Sequence, residues 1–127
     1  MNLEKVIFSF FMILALTLNF GFFYGTVDQA DHHNIYELFA VIVVNLIATV
    51  LKFGDRSQMG AMLLATSLVA VVQLVSAAIV WTFAVHVQST GLTPAAVSTI
   101  VSLSGGAVLA NIISVILLMI EAAMLRH

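Results

Sequence analysis

The chain contains no cysteine, one proline, four Lys or Arg and six Asp or Glu in 127 residues, so charged side chains make up only 8% of it. Without cysteine, disulfides, thiolate metal sites and cysteine nucleophiles are excluded. Four basic residues and a formal net charge of −2 leave no basic face for nucleic acid. The shortage of charge also removes the solvated surface of a soluble domain, where about 25% of residues are charged and roughly 45–50% apolar. Here the apolar share is 62% and the mean hydropathy +1.17. The composition predicts a single all-α integral membrane domain over 1–127.

Catalytic patterns are missing too. There is no H-E-x-x-H and no Gly-rich phosphate loop. The Ser and Thr residues of the apolar segments have no His in their own span, because the four His lie in connections, at a helix end or at the C-terminus. The best enzymatic pairing would set Glu37 beside His32 or His33. No enzyme, cofactor or metal centre is expected.

Four apolar segments are present: Val6–Tyr24, Ile35–Phe53, Met59–Val85 and Pro94–Leu125. Each reaches the roughly 18–20 residues that cross about 30 Å of hydrocarbon. The expected helices are 3–25, 35–53, 57–86 and 94–125. The first is too long for a signal-peptide core, and bulky LNFGFFYG stands where small residues would mark cleavage. Lys5, Lys52, Arg56 and Arg126 all fall on one side of a four-span arrangement, which predicts both termini inside under the positive-inside rule. Tyr24, Tyr36 and Trp81 then lie near the outer ends of their helices, as an aromatic belt would.

Local signals mark the helix ends. Asn34 with Glu37 reads as a capping box, and Asp55 with Gln58 repeats the spacing. Gly54 reads as a left-handed stop. Thr93-Pro94 reads as an N-cap followed by a first-turn proline.

The second segment is the most informative. At about 100° per residue, Glu37, Asn45, Thr49 and Lys52 share one third of its circumference, a polar stripe that must face protein or water. Three of them have two readings. Glu37 is a cation-attracting carboxylate or a helix cap; Asn45 lines a path or bridges helices; Lys52 sits at an exit or snorkels to headgroups. Gln73 and Asn111 are the corresponding polar residues of the third and fourth helices. The stretch Thr49–Asp55, TVLKFGD, is superficially like a potassium-channel filter. It lacks the glycine that lets carbonyls point inward, and it falls on the wrong side.

In the first connection, Asp28, Asp31, His32 and His33 form either a solvated loop or a cation-attracting outer mouth. On the third helix Met59, Met62, Thr66, Ala70, Gln73, Ala77 and Ala84 are expected to form the inner face. On the fourth, Ser98, Ser102, Gly106, Ala110 and Ser114 form a small-xxx-small ladder, and Ser104, Ala107, Asn111, Ser114 and Glu121 a second face. Glu121 is expected to pair with Arg126 or Lys52. Two packing faces on one helix predict contacts within a subunit and between copies.

The stretches MNLEKVIFSFFMILALTLNFGFFYG, ELFAVIVVNLIATVLKFGDRSQMGAMLLATSLVA and LTPAAVSTIVSLSGGAVLANIISVILLMIE resemble small proteobacterial inner-membrane proteins of an uncharacterised family. The resemblance implies a bacterial inner-membrane setting and four spans, and brings no activity and no site residues. From the residues themselves two functions are expected. One is a homo-oligomeric channel or transporter for small cations, with helix 2 lining the path. The other is a non-catalytic accessory or scaffold subunit that binds another membrane protein through its polar stripes.

Overall fold

The computed structural model describes residues 3–29, 35–54, 57–87 and 93–124. They form four helices: α1 (Leu3–Gln29), α2 (Ile35–Lys52), α3 (Gln58–Thr82) and α4 (Pro94–Met124). A π-helical turn, Phe83–Val87, extends α3. Leu3–Tyr24, Gln58–Val85 and Pro94–Met124 are each long and apolar enough to cross a membrane. The 18-residue α2 is the shortest of the four helices.

The helices pack in a ring, each against its chain neighbours and α4 back against α1. Cross-helix contacts fix the directions. Phe8 meets Lys52 at one end of α1 and α2, while Gly21 lies against Glu37 towards the other, so the pair is antiparallel. Gln73 meets Gly106 and Thr66 meets Ser114, which makes α3 and α4 antiparallel as well.

Large apolar side chains cover the outside. Phe10, Phe20, Phe39, Val72, Ile79, Leu109 and Met119 are all exposed. Inside lie two apolar clusters. One contains Phe22, Leu38, Leu74, Trp81 and Ile100; the other contains Phe8, Met12, Ala48 and Leu63. Asn19, Asn45, Thr49, Ser67, Ser104, Asn111 and Ser114 are buried as well. The usual soluble arrangement, polar outside and apolar inside, is therefore reversed for the amides.

Several local expectations change. The cap of α3 is Ser57, whose side chain accepts from the Gly60 N–H at 3.0 Å. Ser57 is one residue before the helix and so reaches the first free N–H groups; Asp55 lies outside the described residues. Gly54 does not adopt a left-handed φ; α2 instead tightens at its end through a Phe53 N–H to Val50 carbonyl bond of 3.1 Å. Thr93 does cap α4, its hydroxyl accepting from the Ala96 N–H at 3.2 Å. Tyr24 and Tyr36 are exposed as a belt requires, but Trp81 is only 7% exposed. Its ring lies 6.2 Å from that of Phe22, so it belongs to the core instead.

Candidate functional site: a layer of four amides

One amide comes from each helix: Asn19 from α1, Asn45 from α2, Gln73 from α3 and Asn111 from α4. The three asparagines are fully buried, and Gln73 is half-buried with a buried carbonyl oxygen. Their relative heights follow from the cross-helix contacts. Gln73 is level with Gly106, five residues before Asn111 on α4. Ser67 reaches Met12 at 3.8 Å, which brings Asn19, seven residues further along α1, back to the level of Gln73. Asn45 falls between the Glu37–Gly21 and Lys52–Phe8 contacts. At a rise of about 1.5 Å per residue, the four amides occupy about 9 Å of bundle height.

Hydrogen bonding inside this layer is incomplete. Asn45 donates Nδ2–H to the Val41 carbonyl of its own helix at 2.9 Å, leaving its Oδ1 without a partner. Gln73 Oε1 and both polar atoms of Asn19 and of Asn111 are also buried without one. A buried polar group left unpaired costs about 1–3 kcal/mol. Four such side chains would then consume much of a total stability of about 5–15 kcal/mol. A dry layer is thus a poor physical description of it.

Glycine makes room for the layer. A Cβ on Gly106 would lie 2.6 Å from Gln73 Nε2, and one on Gly105 would lie 2.9 Å from Phe23 Cε1. The adjacent glycines therefore leave space for the Phe23 ring of α1 and the Gln73 side chain of α3 against two sides of α4.

Hydroxyls continue the polar file toward the Lys52 end. Thr49 donates to the Asn45 carbonyl at 2.8 Å. Thr66 and Ser114 share a hydrogen bond of 2.5 Å between α3 and α4. Beyond them the side chains of Phe8 and Leu63 close the interior. On the opposite side Phe22 and Trp81 do so.

The stripe expected on helix 2 does turn inward. Asn45 and Thr49 are buried, and Glu37 and Lys52 are half-buried at its two ends. Lys52 Nζ sits 4.4 Å from the centroid of the Phe8 ring, a cation–π geometry. Glu37 Oε1 lies 3.8 Å from where a Gly21 Cβ would be.

Other expectations shift by part of a turn. On α3 the buried face is Gly60, Leu63, Ser67, Ala70, Leu74, Ala77 and Trp81. Ala70 and Ala77, with Ala84 beyond the helix, are inside as expected, but Met62 is exposed. On α4 Ser98 and Ser102 point outward, whereas Gly106, Ala110 and Ser114 pack inside the protomer. The second face, Ser104, Ala107, Asn111 and Ser114, is fully inward, with Glu121 half-buried. Only the backbone of Asp28 is described, and Asp31, His32, His33 and Arg126 lie outside the described residues. Among the described residues no group of three or more His, Cys, Asp or Glu is placed to hold a metal.

Sequence reasoning missed Asn19. It sits in a run so apolar that its helix shows no polar stripe. Its signal was a lone amide near the middle of a membrane-length segment, which is expensive there unless it meets a partner.

A family model described as a family of unknown function (DUF6394) matches residues 32–122. The matched region holds Asn45, Gln73 and Asn111. No curated protein and no solved structure matches the chain.

Proposed function

The chain belongs to this family of unknown function, DUF6394, and from its buried amides we propose that it is a membrane channel or transport protein for small cations. The observation that carries the reading is the layer of unpartnered amide oxygens contributed by all four helices. Carbonyl oxygens in a ring can replace part of a cation's hydration shell. Helix α2 supplies the longest section of the path, from Glu37 through Asn45 and Thr49 to Lys52. Glu37 attracts cations toward the layer, and Asp28, Asp31, His32 and His33 enlarge that outer field.

In this reading all four helices span a bacterial inner membrane. The large apolar side chains on the outside suit lipid. The 18 residues of α2 measure about 27 Å, close to the hydrocarbon thickness. Both termini and the connection between α2 and α3 face the cytoplasm, which puts Lys5 and Lys52 on the same side. Copies associate through the outward Ser98 and Ser102, a small-residue face not used inside the protomer.

The test is cation uptake into liposomes containing the purified chain. Uptake that drops in Asn45→Leu and Glu37→Gln is expected. Absence of flux in any salt, or flux indifferent to both substitutions, would overturn the reading.

The same outward face supports a second one, a non-catalytic accessory or scaffold subunit docked on another membrane protein. Exposed Ser98 and Ser102 suit a foreign helix as well as a second copy. Stoichiometric co-purification of a partner from native membranes, with no flux from the pure chain, would favour it.

A further inference from the structure

The amides in the layer are neutral, and four of their oxygens but two of their nitrogens lack a partner. Asn19 Oδ1, Asn45 Oδ1, Gln73 Oε1 and Asn111 Oδ1 are unpartnered, against the Nδ2 groups of Asn19 and Asn111. No Asp, Glu, Lys, Arg or His falls within the layer's height. Glu37 lies beside Gly21, two residues or about 3 Å beyond Asn19 and so at the edge of the layer, and Lys52 lies about 10 Å beyond Asn45 on the other side. A divalent ion would arrive with a far larger desolvation penalty and would call for carboxylates. An anion would face oxygens. The donor set fits a hard ion of single positive charge.

We propose that the layer is an occluded site for one monovalent alkali cation at a time, held by amide oxygens of the layer, with water completing its shell. The water accounts for the two Nδ2 groups, which need acceptors that a cation does not provide. Occlusion follows from the apolar packing around the layer: Ala70, Leu74, Ala107 and Ala110 at its own height, Phe22 and Trp81 toward one end of the bundle, Phe8, Met12 and Leu63 toward the other. Apolar constrictions of this kind gate by dewetting. The ion therefore dwells between two closed gates, and release requires one of the clusters to part. Gly106 sets the geometry, because only a residue without Cβ leaves Gln73 in place beside α4. This inference rests on the transport reading for the route by which the ion arrives, but the site is tested separately.

The full-length chain is purified in detergent with choline chloride as the only salt, and its thermal unfolding midpoint is followed during titration with NaCl, KCl, CsCl or CaCl2 at constant ionic strength. A ligand that binds only the folded state raises the midpoint saturably. The expected result is such a rise with sodium or potassium, with Asn45→Leu and Asn111→Leu each weakening the apparent affinity roughly tenfold or more, as loss of about 1.4 kcal/mol would. Leu has as many side-chain heavy atoms as Asn and removes a buried amide oxygen that has no partner, so both variants are expected to fold. Asn111→Asp, which adds charge to the cation shell, should tighten binding. A midpoint that is identical in choline, sodium and potassium would overturn the site and leave a water-filled layer. A response to calcium alone would overturn its charge. Flux without a saturable shift would overturn the site while leaving transport standing; a shift without flux would uphold the site and overturn transport.

Discussion

Gln73 of α3 occupies the space that a side chain on Gly106 of α4 would fill: its Nε2 lies 2.6 Å from the ideal Cβ position. Glycine in a helix interior carries a conformational penalty of roughly 0.5–1 kcal/mol relative to alanine. At this position a Cβ would displace the far end of the Gln73 side chain, which is flexible and half-buried and can swing aside. Gly106→Ala should therefore change stability by less than about 1 kcal/mol, the gain in helix propensity being offset by the lost Gln73 position. Gln73→Ala in the same chain should release that gain in full. Unfolding of the two single variants and the double variant measures the coupling; additive effects would mean that the two residues do not meet.

The unpartnered amides lead to an unusual mutational sign. Removing a well-bonded buried amide strands its partner and destabilises, whereas replacing an unsatisfied one with an apolar group of similar size is nearly neutral or stabilising. Asn111→Leu and Asn19→Leu are expected to unfold at temperatures equal to or above that of the parent in choline, while losing cation uptake. Asn45→Leu should gain less, because its Nδ2 already donates to Val41. Circular dichroism with temperature, run beside the uptake assay, reads both effects. A loss of several kcal/mol for Asn111→Leu would show that its amide has protein partners.

Helix 2 was legible because Glu37, Asn45, Thr49 and Lys52 stand out at one angular position against Val, Ile and Leu, and burial of Asn45 and Thr49 agrees. Helix α4 offered two overlapping faces, and small residues alone could not say which would be inside. The choice was made by Asn111 and by the Gly105-Gly106 pair, around which Phe23 and Gln73 pack. On α3 the polar residues misled: Thr66 and Gln73 lie at the edge of the buried face, so centring the face on them tilts Met62 inward when it is outside. Trp81 shows the same limit from the other direction. Its composition suits an interface, but its partner Phe22 comes from a helix 59 positions away in sequence, and nothing local reveals that contact.

Between α3 and α4 the hydroxyls of Thr66 and Ser114 bond to each other at 2.5 Å. Thr66 also contacts the carbonyls of Met62 and Leu63, so removal of Ser114 Oγ leaves the threonine hydroxyl an internal alternative. Interhelical bonds in membrane proteins average about 0.6 kcal/mol, with a maximum near 1.7. Ser114→Ala should therefore cost about 0.5 kcal/mol, and less if Thr66 is already Val. A double-mutant cycle over Thr66→Val and Ser114→Ala should give a coupling below about 1.7 kcal/mol.

The absence of cysteine gives a clean background for deciding whether α2 crosses the bilayer. Position 54 follows α2 and is exposed, and a Cβ there meets nothing within 4 Å. Tyr36 near the opposite end of α2 is 74% exposed, and Leu46 between them is exposed on the outer surface. If α2 spans, Gly54→Cys and Tyr36→Cys should react with an impermeant maleimide from opposite faces of a sealed vesicle, the first only after the cytoplasmic side is opened. Leu46→Cys should resist from both, because a thiol against acyl chains stays protonated and dry. If Gly54→Cys and Tyr36→Cys react from the same side, α2 does not cross. The amides could then belong to a bundle whose second helix lies along the surface, and the path assigned to Asn45 and Thr49 would have no far end. Labelling at Leu46→Cys equal to that of the terminal positions would indicate an outer surface that faces water.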